Sequence, residues 1–384
     1  MLHQNSVFHS VLKHVPWHAL ERSVDKYGAD DLSRGLTTKR QLIALLYGQL
    51  SGGAGLREIV TGMASHATRL YHLGAAPVKR STLSDANRDR PWQVFAELFE
   101  AVLQQAHRGL RRTAGEAVRL IDSTSLRLSN LSADWATFST EFCGVKAHIV
   151  YDPNADRPIY FEVTAANVND ITAAKAMPIE AGATYVFDLG YYDYRWWAEL
   201  DDRGCRFVTR LKKNTPFTVV SENSVPNEGN ILSDRIGYLP QRLAASRKNP
   251  LQVPVREVRV VTETGKVLRI VTNDLDAPAQ EIADLYKQRW QIELFFRWVK
   301  QTLRIKRFIG VSENAVRIQI AVALIAFLLL RLGQATQKVV RSPLEFARLV
   351  RANLMNRRPI DRLLEPLQPV QMDRNQLTLG LYCK

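Results

Sequence analysis

The chain has 384 residues, 52 Lys+Arg against 38 Asp+Glu, a formal net charge of +14 and a pI of about 9.8. Apolar residues make up 46%, which supports a core, excludes wholesale disorder and, at this length, suggests two or three structural units. The excess of positive charge points to a polyanionic partner, most simply nucleic acid, with a merely basic soluble protein as the alternative.

The longest unbroken apolar run, Ile320 to Leu330, has eleven residues. A membrane span needs roughly 20, so a buried core helix is expected there, and no membrane partner. The start Met1-Leu2-His3-Gln4 lacks the basic-then-apolar layout of a signal peptide. Cys143, Cys205 and Cys383 are far apart and odd in number, fitting neither a disulfide framework nor a zinc knuckle. A cytoplasmic protein is expected.

In chain order, residues 1–112 read as helical. Leu42, Leu45, Leu46 and Leu50 share one helix face, Ser51-Gly52-Gly53-Ala54-Gly55 breaks it, and Leu56, Ile59, Val60 and Met63 form the next stripe. Ser81 is a candidate cap for a short third helix, and Pro91 a helix start. Short helices with a Gly-rich turn and a basic third element suit helix-turn-helix DNA binding, or equally a packing or dimerisation domain. Gly52-Gly53-Ala54-Gly55 is no phosphate loop, since no Gly-Lys-Ser/Thr follows; no nucleotide cofactor, ATP included, is expected.

After Gly115 the period changes. Strands are expected at 117–121, 145–151, 158–164, 184–187 and 206–211, with helices at 169–179 and 194–203. That order gives an α/β fold with a mixed sheet and helices on its faces over residues 113–214. Residues 215–280 read as a β-rich insertion, with strands at 251–261 and 266–272. Residues 281–340 complete the core with a helix from 279 to 307 and the apolar helix. Residues 341–384 read as a basic C-terminal tail.

Two aspartates end apolar strands: Asp122 follows Val118-Arg119-Leu120-Ile121, and Asp188 follows Tyr185-Val186-Phe187. Either alone reads as a turn residue. Together they suit a divalent cation, which takes carboxylate oxygens from several chain positions. Residues 151–200 hold three basic and eight acidic side chains, net −5, whereas 301–350 are +6, an acidic locus within a cationic protein. On a helical wheel of about 100° per residue, Tyr286, Arg289, Glu293, Arg297, Lys300, Arg304 and Arg307 fall in a stripe of about 80°. One acid is thus followed by cations alone; a solvated face normally mixes signs, so phosphate contact fits better.

These residues carry a resemblance. Tyr286-x2-Arg289-x3-Glu293-x6-Lys300 resembles the Y-R-E-K signature of the DDE transposases of bacterial insertion sequences, in insertion-sequence family four. Asp188-Leu189-Gly190-Tyr191 and Asp122-Ser123-Thr124 resemble that branch's two aspartate motifs, over about residues 115–335. The first 100 residues resemble the helical domain of one subgroup. The resemblance implies an RNase H-like core, with Asp122, Asp188 and Glu293 as catalytic residues holding two Mg2+, for which Mn2+ can substitute. It implies double-stranded DNA as partner, both inverted-repeat ends and target, with a homodimer in the synaptic complex of a nucleoid-associated bacterial protein. Three crowded carboxylates need divalent cations to stay ionised, and two ions suit in-line displacement at phosphorus. Arg289, Arg297, Lys300 and Arg304 are then expected on phosphates, and Tyr286 on phosphate or a flipped base. Lys79, Arg80 and Arg88 are expected on the terminal repeat. A catalytically decayed DNA-binding protein, or a nuclease without strand transfer, are the alternatives. Relatives that cut through a hairpin stack a base on a tryptophan in the insertion; residues 215–280 contain none. Trp196, Trp197, Trp290 and Trp298 are expected in the core, and His148 either near DNA or satisfied at the core edge.

Overall fold

A computed structural model describes residues 5–53, 55–109, 117–136, 143–225, 229–244, 247–302, 308–337 and 339–365. Seven helices come first: α1 (Val7–Leu12), α2 (Trp17–Tyr27), α3 (Thr38–Ser51), α4 (Leu56–Ser65), α5 (Ala67–Leu70), α6 (Arg80–Asp89) and α7 (Gln93–Gly109). Thr37 caps α3 by accepting from the Arg40 N–H, and Gly52 ends it in the left-handed region at φ 81°, where a side chain would be strained. The cap expected of Ser81 is absent: α6 starts at Arg80 after Lys79, with no side-chain cap.

The core follows as β1 (Val118–Arg127), α8 (Ala133–Ala136), β2 (Gly144–Asp152), β3 (Arg157–Ala165), α9 (Asp170–Ala176), β4 (Thr184–Phe187), α10 (Tyr194–Asp202) and β5 (Arg206–Arg210). β1, β2 and β3 form an antiparallel meander, and β4 and β5 add to β1 in parallel. With helices packed on it, this mixed sheet is the RNase H-like core. Here β1 runs five residues past Asp122, where a strand end was expected. Ser123, Thr124 and Ser125 pair with His148, Ala147 and Lys146 of β2. The polar run reads like a turn because its other flank is open: pairing to β4 stops at Ile121–Phe187.

The insertion holds β6 (Thr218–Asn223), β7 (Ile231–Tyr238), β8 (Arg242–Ala244), β9 (Arg247–Lys248), β10 (Val255–Val261) and β11 (Val267–Thr272). Rather than interrupting the core sheet, it prolongs it. β11 pairs antiparallel with β5, and the nine strands run β3-β2-β1-β4-β5-β11-β10-β7-β6. Within it Arg256 on β10 holds Asp234 on β7 by two hydrogen bonds of 2.7 Å, both side chains buried.

The single helix expected over 279–307 is broken. α11 (Ala279–Gln288) ends before Arg289, and α12 (Trp290–Thr302) begins after it. α13 (Glu313–Ala335) is long and apolar enough to cross a membrane by composition, but it is buried inside the protein, as expected of a core helix. It packs against α7, α3 and α6 and also touches α1, α12, α14 and β3. One hydrophobic cluster therefore runs from Val7 and Phe8 through α13 to Val145 and Phe295. The region expected as a basic tail includes α14 (Pro343–Asn353), capped by Ser342, with Phe346, Ala347 and Val350 buried. Its apolar residues share one helix face, which a reading by charge overlooks.

Candidate active site

The site forms where β1 loses one neighbour. Ile121 and Phe187 are the last residues paired between β1 and β4, so Asp122, within β1, and Asp188, just after β4, stand at one level where the two parallel strands part. Asp122 Oδ1 accepts the Ser123 backbone N–H at 2.8 Å, and Asp188 Oδ1 accepts that of Gly190 at 2.8 Å. Glu293 arrives from the first turn of α12. Arg289, at the break between α11 and α12, links the elements: Nη1 lies 3.5 Å from Asp122 Oδ2 and Nη2 lies 2.5 Å from Glu293 Oε1. Asp122, Glu293, Arg297 and Lys300 line one cleft of about 360 Å³.

Burial pushes the Asp122 carboxyl up to about 7. The Ser123 N–H and Arg289 oppose that rise, while the charges of Asp188 and Glu293 add to it. The three carboxylates thus repel at one locus, and the Arg289 guanidinium provides the positive charge between two of them. Among the described residues, no group of three His, Cys, Asp or Glu side chains stands close enough to hold a metal ion. The chemistry of the donor set still fits one: all three are hard oxygen donors whose mutual repulsion a divalent cation relieves.

Residues 113–329 match the family described as transposase DDE domain. The chain belongs to that family. Residues 3–76 match a domain of unknown function, DUF4372. The putative transposase y4zB of Sinorhizobium fredii is 40% identical over 284 residues, 74% of this chain and 80% of that one. The probable transposase for insertion sequence element IS5377 of Geobacillus stearothermophilus is 30% identical over 286 residues, 73% of this chain and 74% of that one. Among solved structures, the chain is similar to a piggyBac transposase synaptic complex with hairpin DNA, at 10% identity and a TM-score of 0.48, over 96% of this chain and 83% of that one. By the family match and these two relatives the protein is a bacterial insertion-sequence transposase, an enzyme of a family that acts on DNA with divalent metal.

The other residues expected at the transposase's site fall out unevenly. Arg297 is exposed and Lys300 half-buried; Arg304 lies outside the described residues. Tyr286 is buried, with burial pushing its phenol up. Two guanidinium groups stand over its ring, Arg210 at 5.7 Å and Arg289 at 5.8 Å, a cation–π arrangement. Arg210 ends β5 and carries no local signal of this role; sequence reasoning missed it. Trp196 and Trp197 are buried, and Trp298 packs edge-on against Phe327 at 4.9 Å, but Trp290 is 50% exposed. Trp290 lines a larger cleft of about 810 Å³ with Tyr286 and Arg289, between α11 and the insertion strands. Its wheel angle, about 40° from Tyr286, places it beside the charged stripe and was the available signal. His148 is fully buried and bonded to Thr164 Oγ1 at 2.8 Å, as a histidine at the core edge is. In the N-terminal region Lys79 and Arg80 are exposed. Arg88 is also exposed, yet already paired with Asp85 at 3.2 Å and Asp89 at 2.8 Å.

Proposed function

We propose that this transposase binds the inverted-repeat ends of its element, cuts them and joins the 3′ ends to target DNA at Asp122, Asp188 and Glu293. The observation that supports this reading is that Arg289 and a cleft also lined by Arg297 and Lys300 bring Asp122 and Glu293 together, with the charge of Asp188, which follows the neighbouring strand, acting on Asp122. Asp122, Asp188 and Glu293 would hold two Mg2+, with Mn2+ able to substitute; bound there, the ions supply activation of the attacking oxygen and stabilisation of the leaving one. Lys300 lies two turns along α12 from Glu293, roughly 10 Å, a distance that suits a phosphate beside the scissile one. Arg297 extends the cationic track, and Arg289 clamps the carboxylates until DNA competes for its fork. Lys79 and Arg80, with α6, are assigned to the terminal repeat, with less from Arg88, whose charge is answered locally. Two copies would act together in a synaptic homodimer, in the cytoplasm at the nucleoid.

The test is cleavage and joining of labelled element ends by Asp122→Asn, Asp188→Asn and Glu293→Gln. Each is expected to lose both reactions while still retarding end DNA in a gel, because a lost ligand disrupts the metal charge balance. Full activity in any variant removes that residue from the site. Cutting without joining by the unaltered protein would favour a nuclease.

A further inference from the structure

A fourth carboxylate stands close to both aspartates and has no part in the reading above. Asp170 is the first residue of α9, on the connection that leads from β3 to β4. Its Oδ1 accepts the Ser123 hydroxyl at 2.9 Å, and the Ser123 backbone N–H in turn holds Asp122. Its Oδ2 abuts the turn that follows Asp188. A Cβ placed on Gly190 would lie 3.0 Å from Asp170 Oδ2 and 3.0 Å from Asp188 Oδ1, so a side chain there would press on both carboxylates, which flank the turn closely.

The environment of Asp170 is built to keep it there. Lys146 Nζ lies 3.1 Å from Oδ1 and also donates to the Val168 carbonyl at 2.9 Å. His148, fully buried, presents Nδ1 to the same oxygen at 3.8 Å. Ser123, His148 and Lys146 share one sheet face, because Ser123 pairs with His148 and Ser125 with Lys146. Asp122 points to the opposite face by strand alternation. The buried Tyr191 phenol feels Asp122, Asp170 and Asp188 together.

We propose that Asp170 is a positioning residue for metal binding: from the face behind Asp122 it braces both aspartates, Asp122 through Ser123 and Asp188 through the Gly190 turn. This rests on the reading of Asp122 and Asp188 as metal ligands. Groups that orient metal-binding carboxylates typically change affinity or activity by about 10–100-fold when removed. A merely structural ion pair with Lys146 would alter melting and leave the metal response alone.

The experiment uses the full chain. Mn2+ binding is titrated by loss of the free-ion electron paramagnetic resonance signal for the unaltered protein, Asp170→Ala, Asp170→Asn, Ser123→Ala and Asp122→Asn. End cleavage is then followed across a Mg2+ series, with melting to establish folding. Asp170→Ala is expected to weaken Mn2+ binding by about tenfold or more. Its cleavage should recover at high Mg2+, and Ser123→Ala should shift in the same direction. Asp170→Asn keeps the oxygen that Ser123 donates to and is expected to fall between; it carries the test if the alanine variant fails to fold. If Asp122→Asn loses Mn2+ while the folded Asp170 variants bind as the unaltered protein does, the proposal is overturned and the metal site stands. If Asp122→Asn binds Mn2+ undiminished, the metal-site reading and this proposal fall together.

Discussion

Lys300 shows how one side chain can be separated into packing and chemistry. It is half-buried on α12 and lines the cleft of Asp122 and Glu293. A lysine with this exposure contributes about 0.5 kcal/mol or less to stability. A phosphate contact that positions the scissile bond weighs far more in rate, since misplacement by about 1 Å can cost on the order of 100-fold. Lys300→Ala is therefore expected to lose end cleavage on the order of 100-fold with its melting temperature nearly unchanged; equal, small effects on both would make it a solvated charge. His148 gives the opposite case, a buried group whose titration bears on stability. Burial pushes its imidazole from the ordinary 6.5 down to about 4, with Lys146 adding to the fall and Asp170 opposing it. Between those values the unfolded chain binds a proton that the folded chain does not. Stability is then fully present above about pH 6.5 and falls as pH drops toward 4, by on the order of 3 kcal/mol at most. Urea unfolding from pH 7 to pH 4.5 should show that slope for the unaltered protein and a shallower one for His148→Asn; identical slopes would place the effect on other groups.

At the scale of elements, the insertion is tied together by a buried ion pair. Asp234 on β7 and Arg256 on β10 are neighbours on strands that pair antiparallel. Removing one partner leaves an uncompensated buried charge, which costs about 3–5 kcal/mol. Asp234→Ala is expected to destabilise by about that amount in denaturant unfolding. The double variant Asp234→Leu with Arg256→Met should recover most of the loss; no recovery would show that the pair does more than answer its own charges. The break at Arg289 matters equally for function. It divides one amphipathic stripe between two helices and turns Arg289 between Asp122 and Glu293. The wheel correctly put Glu293, Arg297 and Lys300 on one face of α12, because all three lie within one unbroken helix. It could not carry Tyr286 across the break, and that residue is buried beneath Arg210.

At the scale of the whole molecule, α13 joins what the sequence presents as separate units. Leu328 is fully buried in the cluster that includes Val7, Leu46, Phe95 and Phe295. A buried Leu→Ala change costs about 3–5 kcal/mol through lost contacts and the cavity left behind. Leu328→Ala is expected to lower the stability of the N-terminal helices and the catalytic core together, in one transition. Hydrogen exchange that weakens only one of the two regions would show that they unfold independently.

What the sequence determined by itself lies along the chain. The strands β2 to β5 and the helices between them follow from local periodicity and turn residues, and β4 falls on the expected residues, Thr184–Phe187. Asp122, Asp188, Glu293 and Lys300 stand out in the sequence through their resemblance to the motifs of one family, and their roles are those proposed above. The contacts that shape the site were decided only in the tertiary structure. Asp170 reaches Ser123 across 47 residues, and Arg289 reaches Asp122 across 167. Arg210 meets Tyr286 because β5 lies next to β11, and α11 packs on both strands. The physical reason is the same each time. Secondary structure is set by neighbours within a few positions, whereas these contacts depend on which strands pair and in what order, and strand order in a sheet has no period along the chain.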